Sequence, residues 1–236
     1  TLGNLYEGMA FLPYPRSLKV VMISQPQGAL PFLPCYYKKT KSMEIEPIAF
    51  FRSPFATKFG IPKQSGLADT LRGTIEFVPK YRNADALRGM EDFDYLWLVW
   101  EFSANKHEAT SPVVRPPRLG GNTKVGVFAT RSPFRPNRLG LSSVRIDRID
   151  YDAADGPLIH VLGADLMNGT PIYDIKPYVT YADSHPDARS GFVDATAARR
   201  LHVVFPDSLA SEFTAEELAS LKKVLALDPR PQYHDN

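Results

Sequence analysis

Two segments near the middle of the chain place arginines on backbone that proline and glycine stiffen or turn. In residues 115–122, Arg115 and Arg118 stand on a proline-rich loop that ends in Gly120-Gly121. Arginines on such a loop lose little conformational entropy when they bind phosphate. Residues 126–137 are predicted to run from an apolar strand into a proline-locked turn, which presents Arg131, Arg135 and Asn137. Both segments suit anion binding, and both are also compatible with plain surface turns.

A third segment, residues 165–178, combines a turn with alternating polar residues. Asn168-Gly169 is a strong turn signal. Asp174, Lys176 and Tyr178 alternate after it, so on an extended chain they share one face. A carboxylate and a phenol on one face could serve acid–base chemistry. The simpler interpretation is a hairpin followed by a surface ion pair of Asp174 with Lys176.

Charge is concentrated around these segments although the net charge is only +2. Residues 109–146 contain no Asp or Glu. The cations of this basic segment are Arg115, Arg118, Lys124, Arg131, Arg135, Arg138 and Arg145. A positive zone on a nearly neutral protein is typical of a polyanion site, but exposed loops with solvated arginines give the same pattern.

Several classes of chemistry have no support in the sequence. There is no G-x-G-x-x-G, P-loop, H-E-x-x-H or G-x-S-x-G pattern. The single cysteine, Cys35, excludes an internal disulfide, and the five histidines show no metal-ligand spacing, so we expect no metal. With no apolar run of about 18 residues and no signal peptide evident, we expect a cytoplasmic protein that does not enter a membrane.

The elements that must position these residues are predicted to be mainly β. Alternating or apolar runs predict strands at 47–51, 74–78, 95–102, 125–130, 142–149 and 158–162. The aromatic 95–102 run is predicted to be buried on both faces. Asn83 and Gly89 bracket a short helix at 83–90. Closely spaced strands with few helices favour a small antiparallel β-barrel over a βαβ array.

Three regions are expected along the chain. Residues 1–42 do not share the patterning of the rest of the chain and are expected to be an atypical extension, disordered or artefactual. Residues 43–183 hold the predicted barrel domain. Residues 184–236 form a helical C-terminal segment, in which Thr214 and Glu217 have capping-box spacing ahead of a helix at 214–226.

At the three segments the sequence resembles the TrmO (YaeB-like) family of tRNA methyltransferases. The signature is Gly-Val-Phe-Ala-Thr-Arg-Ser-Pro-Phe-Arg-Pro-Asn at 126–137. Supporting matches lie at 52–55, 62–66, 115–121 and 174–178, in the family's order and spacing. The resemblance covers roughly residues 45–183. Relative to the family, the C-terminal segment is expected to be truncated after the Asp-Pro-Arg-Pro at 228–231.

The resemblance implies an S-adenosylmethionine-dependent homodimer that methylates N6 of a threonylcarbamoyl-modified adenosine beside the anticodon of tRNA. The implied cofactor-binding residues are Gln64, Ser65, Gly66, Phe102, Ser103, Arg131, Leu141, Gly163, Ala164 and Asp165. The implied tRNA-binding residues are Arg115, Arg118, Arg135, Asn137 and Lys176. Asp174 and Tyr178 are the candidate catalytic bases. The main alternative is a non-enzymatic RNA-binding β-barrel; a phosphate-ester hydrolase lacks a visible nucleophile or metal set.

Overall fold

Six antiparallel strands close into a barrel in the computed structural model, which describes residues 44–105, 111–195 and 200–228. The expected extension at 1–42 lies outside the described residues. The strands of the chain are β1 (Ala49–Arg52), β2 (Arg72–Phe77), β3 (Tyr95–Glu101), β4 (Val113–Val114), β5 (Val125–Gly126), β6 (Leu139–Asp150), β7 (Leu158–Leu162) and β8 (Pro171–Pro177). The barrel order is β1-β2-β7-β6-β3-β8, while β4 and β5 form a separate ribbon. The prediction of a mainly β protein with an antiparallel barrel is confirmed.

Apolar side chains that alternate along each strand fill the interior of the barrel. Phe51, Ile75, Leu98, Ile159 and Ile172 are almost fully buried there. Period-2 alternation turns their neighbours outward, which fixes the register because a one-residue slip would reverse the faces. The barrel is thus a packed scaffold, and any site lies at its rim or on its outer face.

The prediction that the 95–102 run is buried on both faces is wrong. In β3, Leu96, Leu98 and Trp100 point inward, whereas Tyr95 is exposed and Trp97 is only half-buried. One face of an antiparallel sheet can remain in contact with water, so its aromatic residues need not be covered.

The predicted strand at 125–130 is also wrong beyond its first two residues. β5 pairs only with β4, through Val113↔Gly126 and Val114↔Val125. The chain then bends into a 3₁₀ turn, Val127–Ala129, whose first N–H bonds to the Pro112 carbonyl at 2.9 Å. Within the described residues the ladder of β4 and β5 is limited to these two residue pairs, so the apolar composition of the run does not extend the strand.

Helical structure is short except at the C-terminus. The predicted helix at 83–90 is two 3₁₀ turns, Ala84–Leu87 and Met90–Asp92, with Asn83 capping the first and Gly89 left-handed between them. The other 3₁₀ turns are Pro79–Tyr81, Pro117–Leu119, Val127–Ala129, Pro136–Arg138 and Gly191–Val193. The α-helices are α1 (Thr180–Asp183), α2 (Asp207–Ala210) and α3 (Ala215–Ala226). Within the described ranges, none of these helices is long and apolar enough to cross a membrane.

Helix α3 packs on the outside of the barrel, as predicted. The capping box of Thr214 and Glu217 is present in full. Val224 packs against Ala68 and Leu71, in the segment that leads into β2. The C-terminal helix thus supports the start of β2 from outside.

Candidate functional site

Two glycines bring a loop and a strand end into backbone contact at one rim of the barrel. The Gly66 N–H donates to the Gly163 carbonyl at 2.8 Å, and the Gly163 N–H donates to the Leu71 carbonyl at 2.9 Å. Both glycines have positive φ, and a Cβ on Gly163 would lie 3.4 Å from the Gly66 Cα. Only glycine allows this approach without strain. We call residues 64–66 and 163–165 the glycine cradle.

A buried chain of hydrogen bonds fixes the carboxylate of the cradle. The Trp100 indole donates to the Ser142 hydroxyl at 3.0 Å, and that hydroxyl donates to Asp165 Oδ1 at 2.6 Å. Burial raises the pKa of Asp165, while Ser142, the charge of Arg131 and the Ser65 N–H act in the opposite direction. A carboxylate held in one orientation is suited to accept a hydrogen bond from a hydroxyl or ammonium group.

Arg131 adds a positive charge beside the cradle. Its Nη1 donates to the side-chain oxygen of Gln64 at 2.6 Å, and its side chain is exposed. Contrary to the prediction, it follows the 3₁₀ turn and does not end a strand. Arg135 in the same loop does something else: its Nη1 donates to the Thr130 carbonyl at 3.0 Å and braces the turn.

The remaining predicted cofactor residues fall into two groups. The Phe102 ring packs on Trp100 with centroids 4.4 Å apart, so it lies next to the Trp100–Ser142–Asp165 chain, and Ser103 follows it in an exposed position. Leu141 instead lies on the outer face of β6, 55% exposed and opposite Val99. Its side chain therefore points away from the inward-facing Ser142.

A charged network that sequence reasoning missed joins the loop after β3 to the signature turn. Arg138 forms an ion pair with Glu101 at 3.1 Å and donates to the Asn105 carbonyl at 3.0 Å. Asn105 donates to the Pro133 carbonyl at 3.1 Å. Tyr173 donates to the other Glu101 oxygen at 2.6 Å, and burial, reinforced by Glu101, raises the pKa of Tyr173 to about 12. The network holds Phe102 and the turn in one arrangement.

The two candidate bases lie away from the cradle within one chain. Asp174 is paired with Lys176 at 2.9 Å and lies opposite Val99 on the outer face. The Tyr178 ring packs on Tyr95 and Trp97 at the start of β3, with centroids 6.1 and 5.8 Å away. Since β3 spans roughly 20 Å, Tyr178 is far from Phe102 at the other end of that strand.

The predicted tRNA-binding residues are spread over the loops that precede β6 and over β8. Arg115 precedes the 3₁₀ turn Pro117–Leu119, Arg118 lies within it, and both are exposed. Asn137 is exposed and left-handed at φ 64°, and Arg138 follows at φ 49°. Non-glycine residues in this conformation carry backbone strain, which concentrates at functional sites. Within the described ranges, no three His, Cys, Asp or Glu side chains cluster as a metal site would require.

The fold and the site together define a closed-barrel protein with a polar, glycine-lined rim, distinct from the parallel-sheet proteins that bind nucleotides at strand ends. Residues 50–184 match the family model described as tRNA-methyltransferase O N-terminal domain. The chain belongs to the TrmO family.

Curated and solved relatives agree with this assignment. The chain is 38% identical over 198 residues to the tRNA (adenine(37)-N6)-methyltransferase of Escherichia coli (strain K12), covering 81% of this chain and 84% of that protein. It is 38% identical over 204 residues to a putative S-adenosylmethionine-dependent methyltransferase, RcsF, of Pseudomonas aeruginosa, covering 80% and 82%. The crystal structure of TrmO from Pseudomonas aeruginosa superimposes with a TM-score of 0.64 at 33% identity, covering 80% of this chain and 83% of that one.

Proposed function

We propose that this protein is an S-adenosylmethionine-dependent methyltransferase that acts on the N6 atom of adenosine 37 of tRNA, when that adenosine carries a threonylcarbamoyl group. Membership of the TrmO family and the names of its relatives support the reaction class. The observation that carries the proposal is the glycine cradle, with the Asp165 carboxylate in one of its two segments and the Arg131 guanidinium bonded to Gln64 in the other.

The charges at the cradle match the two charged groups of the methionine part of S-adenosylmethionine. Asp165 would accept from its amino group or from a ribose hydroxyl, and Arg131 would hold its carboxylate with two parallel hydrogen bonds. When bound, S-adenosylmethionine supplies an activated methyl group and a neutral leaving group. The task left to this chain is to hold the acceptor nitrogen about 3 Å from the methyl group and in line with it.

The nitrogen must lose a proton, and Asp174 and Tyr178 remain the proposed bases. Asp174, Val99 and Leu141 form a row across β8, β3 and β6 on the outer face, away from the inward-facing Ser142. This proposal therefore depends on the proposed homodimer, in which the outer face of one copy would approach the cradle of the other. Sedimentation of the purified chain tests it, because a stable monomer that methylates tRNA would remove both bases.

The reaction is tested by incubating the chain with S-adenosylmethionine and one tRNA in two forms, with and without the threonylcarbamoyl group. Mass spectrometry of the nucleosides should find the added methyl group only in the modified form. Equal methylation of both forms would mean that the protein methylates adenosine without requiring the threonylcarbamoyl group. RNA binding without any calorimetric signal for S-adenosylmethionine would instead favour the non-enzymatic RNA-binding barrel.

A further inference from the structure

Phe128, in the middle of the signature segment, is held in solvent by the bonds of its own turn. Its side chain is 79% exposed, whereas the adjacent Val127 is 4% exposed. Val127 donates to the Pro112 carbonyl at 2.9 Å, and the Thr130 hydroxyl donates to the Val127 carbonyl at 2.8 Å. Arg135 bonds to the Thr130 carbonyl from the other side. The backbone around Phe128 is thus anchored at several points, although its ring is not packed.

A surface pocket with mainly apolar walls lies against this phenylalanine. Its volume is about 380 Å³, enough for a flat aromatic ring. The walls are Ser111, Pro112, Gly126, Val127, Phe128, Ala129 and Pro136. Neither a carboxylate nor an ammonium group is among them, so the pocket offers van der Waals contact and one aromatic face. Such a lining recognises a planar apolar surface.

The charge of the chain segment that forms the pocket indicates which planar group would enter it. The pocket lies within the basic segment, residues 109–146, which contains no acidic residue. Arg115, Lys124 and Arg131 in this segment are exposed. The cores of protein–protein interfaces are depleted of charge, whereas aromatic side chains among cations are the usual arrangement for unpaired nucleic acid. The surroundings therefore favour a nucleobase over an apolar protein surface.

We infer that Phe128 and the pocket beside it bind an unpaired base of the RNA substrate by stacking. This inference rests on the proposed function, in which the anticodon loop of a tRNA approaches the cradle. Arg131 joins the two places, because it lies three residues after Phe128 and bonds to Gln64 of the cradle. A stacked base would fix the loop relative to the cradle without selecting a sequence, since every base has a π-face.

The test compares Phe128→Ala, Phe128→Trp and the matched control Tyr181→Ala for binding to an anticodon stem–loop RNA. Tyr181 is a 91% exposed aromatic residue outside the basic segment. We expect Phe128→Ala to lose affinity roughly 5- to 150-fold, the range that corresponds to one stacked base. Phe128→Trp and Tyr181→Ala should bind like the unaltered chain, and the salt dependence should be unchanged in all three. An abasic substitution at one loop position should weaken the unaltered chain by a similar factor and Phe128→Ala no further.

Three results would overturn the inference. The first is a Phe128→Ala variant that binds the stem–loop as tightly as the unaltered chain while its melting temperature is unchanged. The second is a Phe128→Ala variant that loses affinity by the same factor for the intact RNA and for every abasic RNA, which would mean that no base contacts the ring. The third is a Phe128→Ala variant whose oligomeric state differs from that of the unaltered chain, which would make Phe128 and the pocket part of a protein interface. Phe128-dependent RNA binding without methyl transfer would remove the proposed function alone, whereas an unaltered chain that binds no RNA would remove both proposals.

Discussion

Arg131 and Arg135 lie four residues apart in one loop, yet their guanidinium groups contact different parts of the molecule. Arg131 reaches out to Gln64 of the glycine cradle, whereas Arg135 folds back onto the Thr130 carbonyl. The first contact joins two segments far apart in the chain, and the second closes a local turn. Because both side chains carry the same charge, replacing each in turn distinguishes a role in ligand binding from a role in bracing the turn.

Replacing each arginine with lysine should therefore give opposite results. Arg131→Lys keeps the charge but loses the planar fork, so cofactor affinity should fall roughly 10- to 150-fold, the equivalent of about 1.5–3 kcal/mol. Its melting temperature should hardly change, because the side chain is exposed. Arg135→Lys should lower the melting temperature and leave cofactor affinity within a few-fold. Calorimetry and thermal unfolding of both variants make the comparison; equal affinity of Arg131→Lys and the unaltered chain would contradict the assignment.

Asp165→Asn should lower the affinity for S-adenosylmethionine without lowering the stability of the folded protein at neutral pH. Burial raises the pKa of the Asp165 carboxyl above its ordinary value of 3.8, so this group favours the folded state below that pH. The contribution is lost as the pH rises through the higher folded-state pKa, because the buried carboxylate must then ionise. Asparagine does not ionise and keeps an oxygen for the Ser142 hydroxyl.

The variant should thus be at least as stable as the unaltered chain at about pH 7, with a flatter stability profile from about pH 4 upward. Its affinity for S-adenosylmethionine should fall about tenfold or more, since a charge-assisted hydrogen bond is lost. Melting temperatures across this pH range and calorimetry at neutral pH provide the measurements. A variant that is less stable at neutral pH but binds normally would make Asp165 a structural residue.

The site residues that the family motifs carry could be assigned from the sequence, and those that depend on distant pairing could not. The family resemblance assigns Gln64–Gly66 and Gly163–Asp165 to the cofactor site, and their contact in the barrel is compatible with that proposed role. Ser142 was missed, despite being a polar residue at an inward position of an alternating strand. Its function depends on Trp100 and Asp165, which are 42 and 23 residues away and adjacent only in the folded barrel.

At the scale of elements, α3 supports the cradle by packing against the segment that leads from the cradle into β2. Val224 packs on Ala68 and Leu71, and the Leu71 carbonyl accepts from the Gly163 N–H. Ser220 adds a hydrogen bond to the Thr70 hydroxyl at 3.0 Å, and Lys223 pairs with Asp69. The C-terminal helix therefore restrains the segment that connects the two halves of the cradle.

Val224→Ala should weaken that support. The loss of two buried carbons should cost about 1–2 kcal/mol in the free energy of unfolding, and the looser Leu71 should lower cofactor affinity several-fold. The neighbouring Leu225 is exposed on the same helix, so Leu225→Ala should cost about 0.5 kcal/mol or less and leave affinity unchanged. Chemical unfolding and calorimetry of the two variants provide the comparison. Equal affinities would mean that α3 packs on the barrel without restraining the cradle.

Strands with a mainly apolar run could be predicted, whereas β8, whose run is broken by Asp174 and Lys176, was not predicted although it pairs with both β1 and β3. β7 was predicted residue for residue, because its short, mainly apolar run is a strong local strand signal. The apolar run at 125–130 has similar composition, but among the described residues its strand pairs with the two-residue β4 alone, and the chain turns after Gly126. Partner length is set by tertiary structure, which local propensity does not encode.

At the scale of the whole molecule, charge is distributed unevenly rather than in excess. The net charge is +2, but the basic segment at 109–146 has cations and no acids. Its cations do not all remain available for RNA. Arg135 braces its turn, and Arg138 pairs with Glu101, whereas Arg115 and Lys124 are exposed on the loop region between β4 and β5. Phosphate contacts are therefore expected chiefly from the exposed members.

Arg115→Ala tests this distribution against a control of equal charge. Each phosphate contact releases about one counterion, so the slope of log affinity against log salt should flatten by roughly one unit at most when one contact is lost. Lys222 is exposed on α3, outside the basic segment, and Lys222→Ala removes the same charge from the protein. It should leave the slope unchanged, because a distant charge is screened beyond about 10 Å. The measurement is the affinity of both variants for tRNA over a series of salt concentrations. If both variants change the slope equally, RNA binding depends only on the net charge, and the arginine loop is an ordinary surface loop.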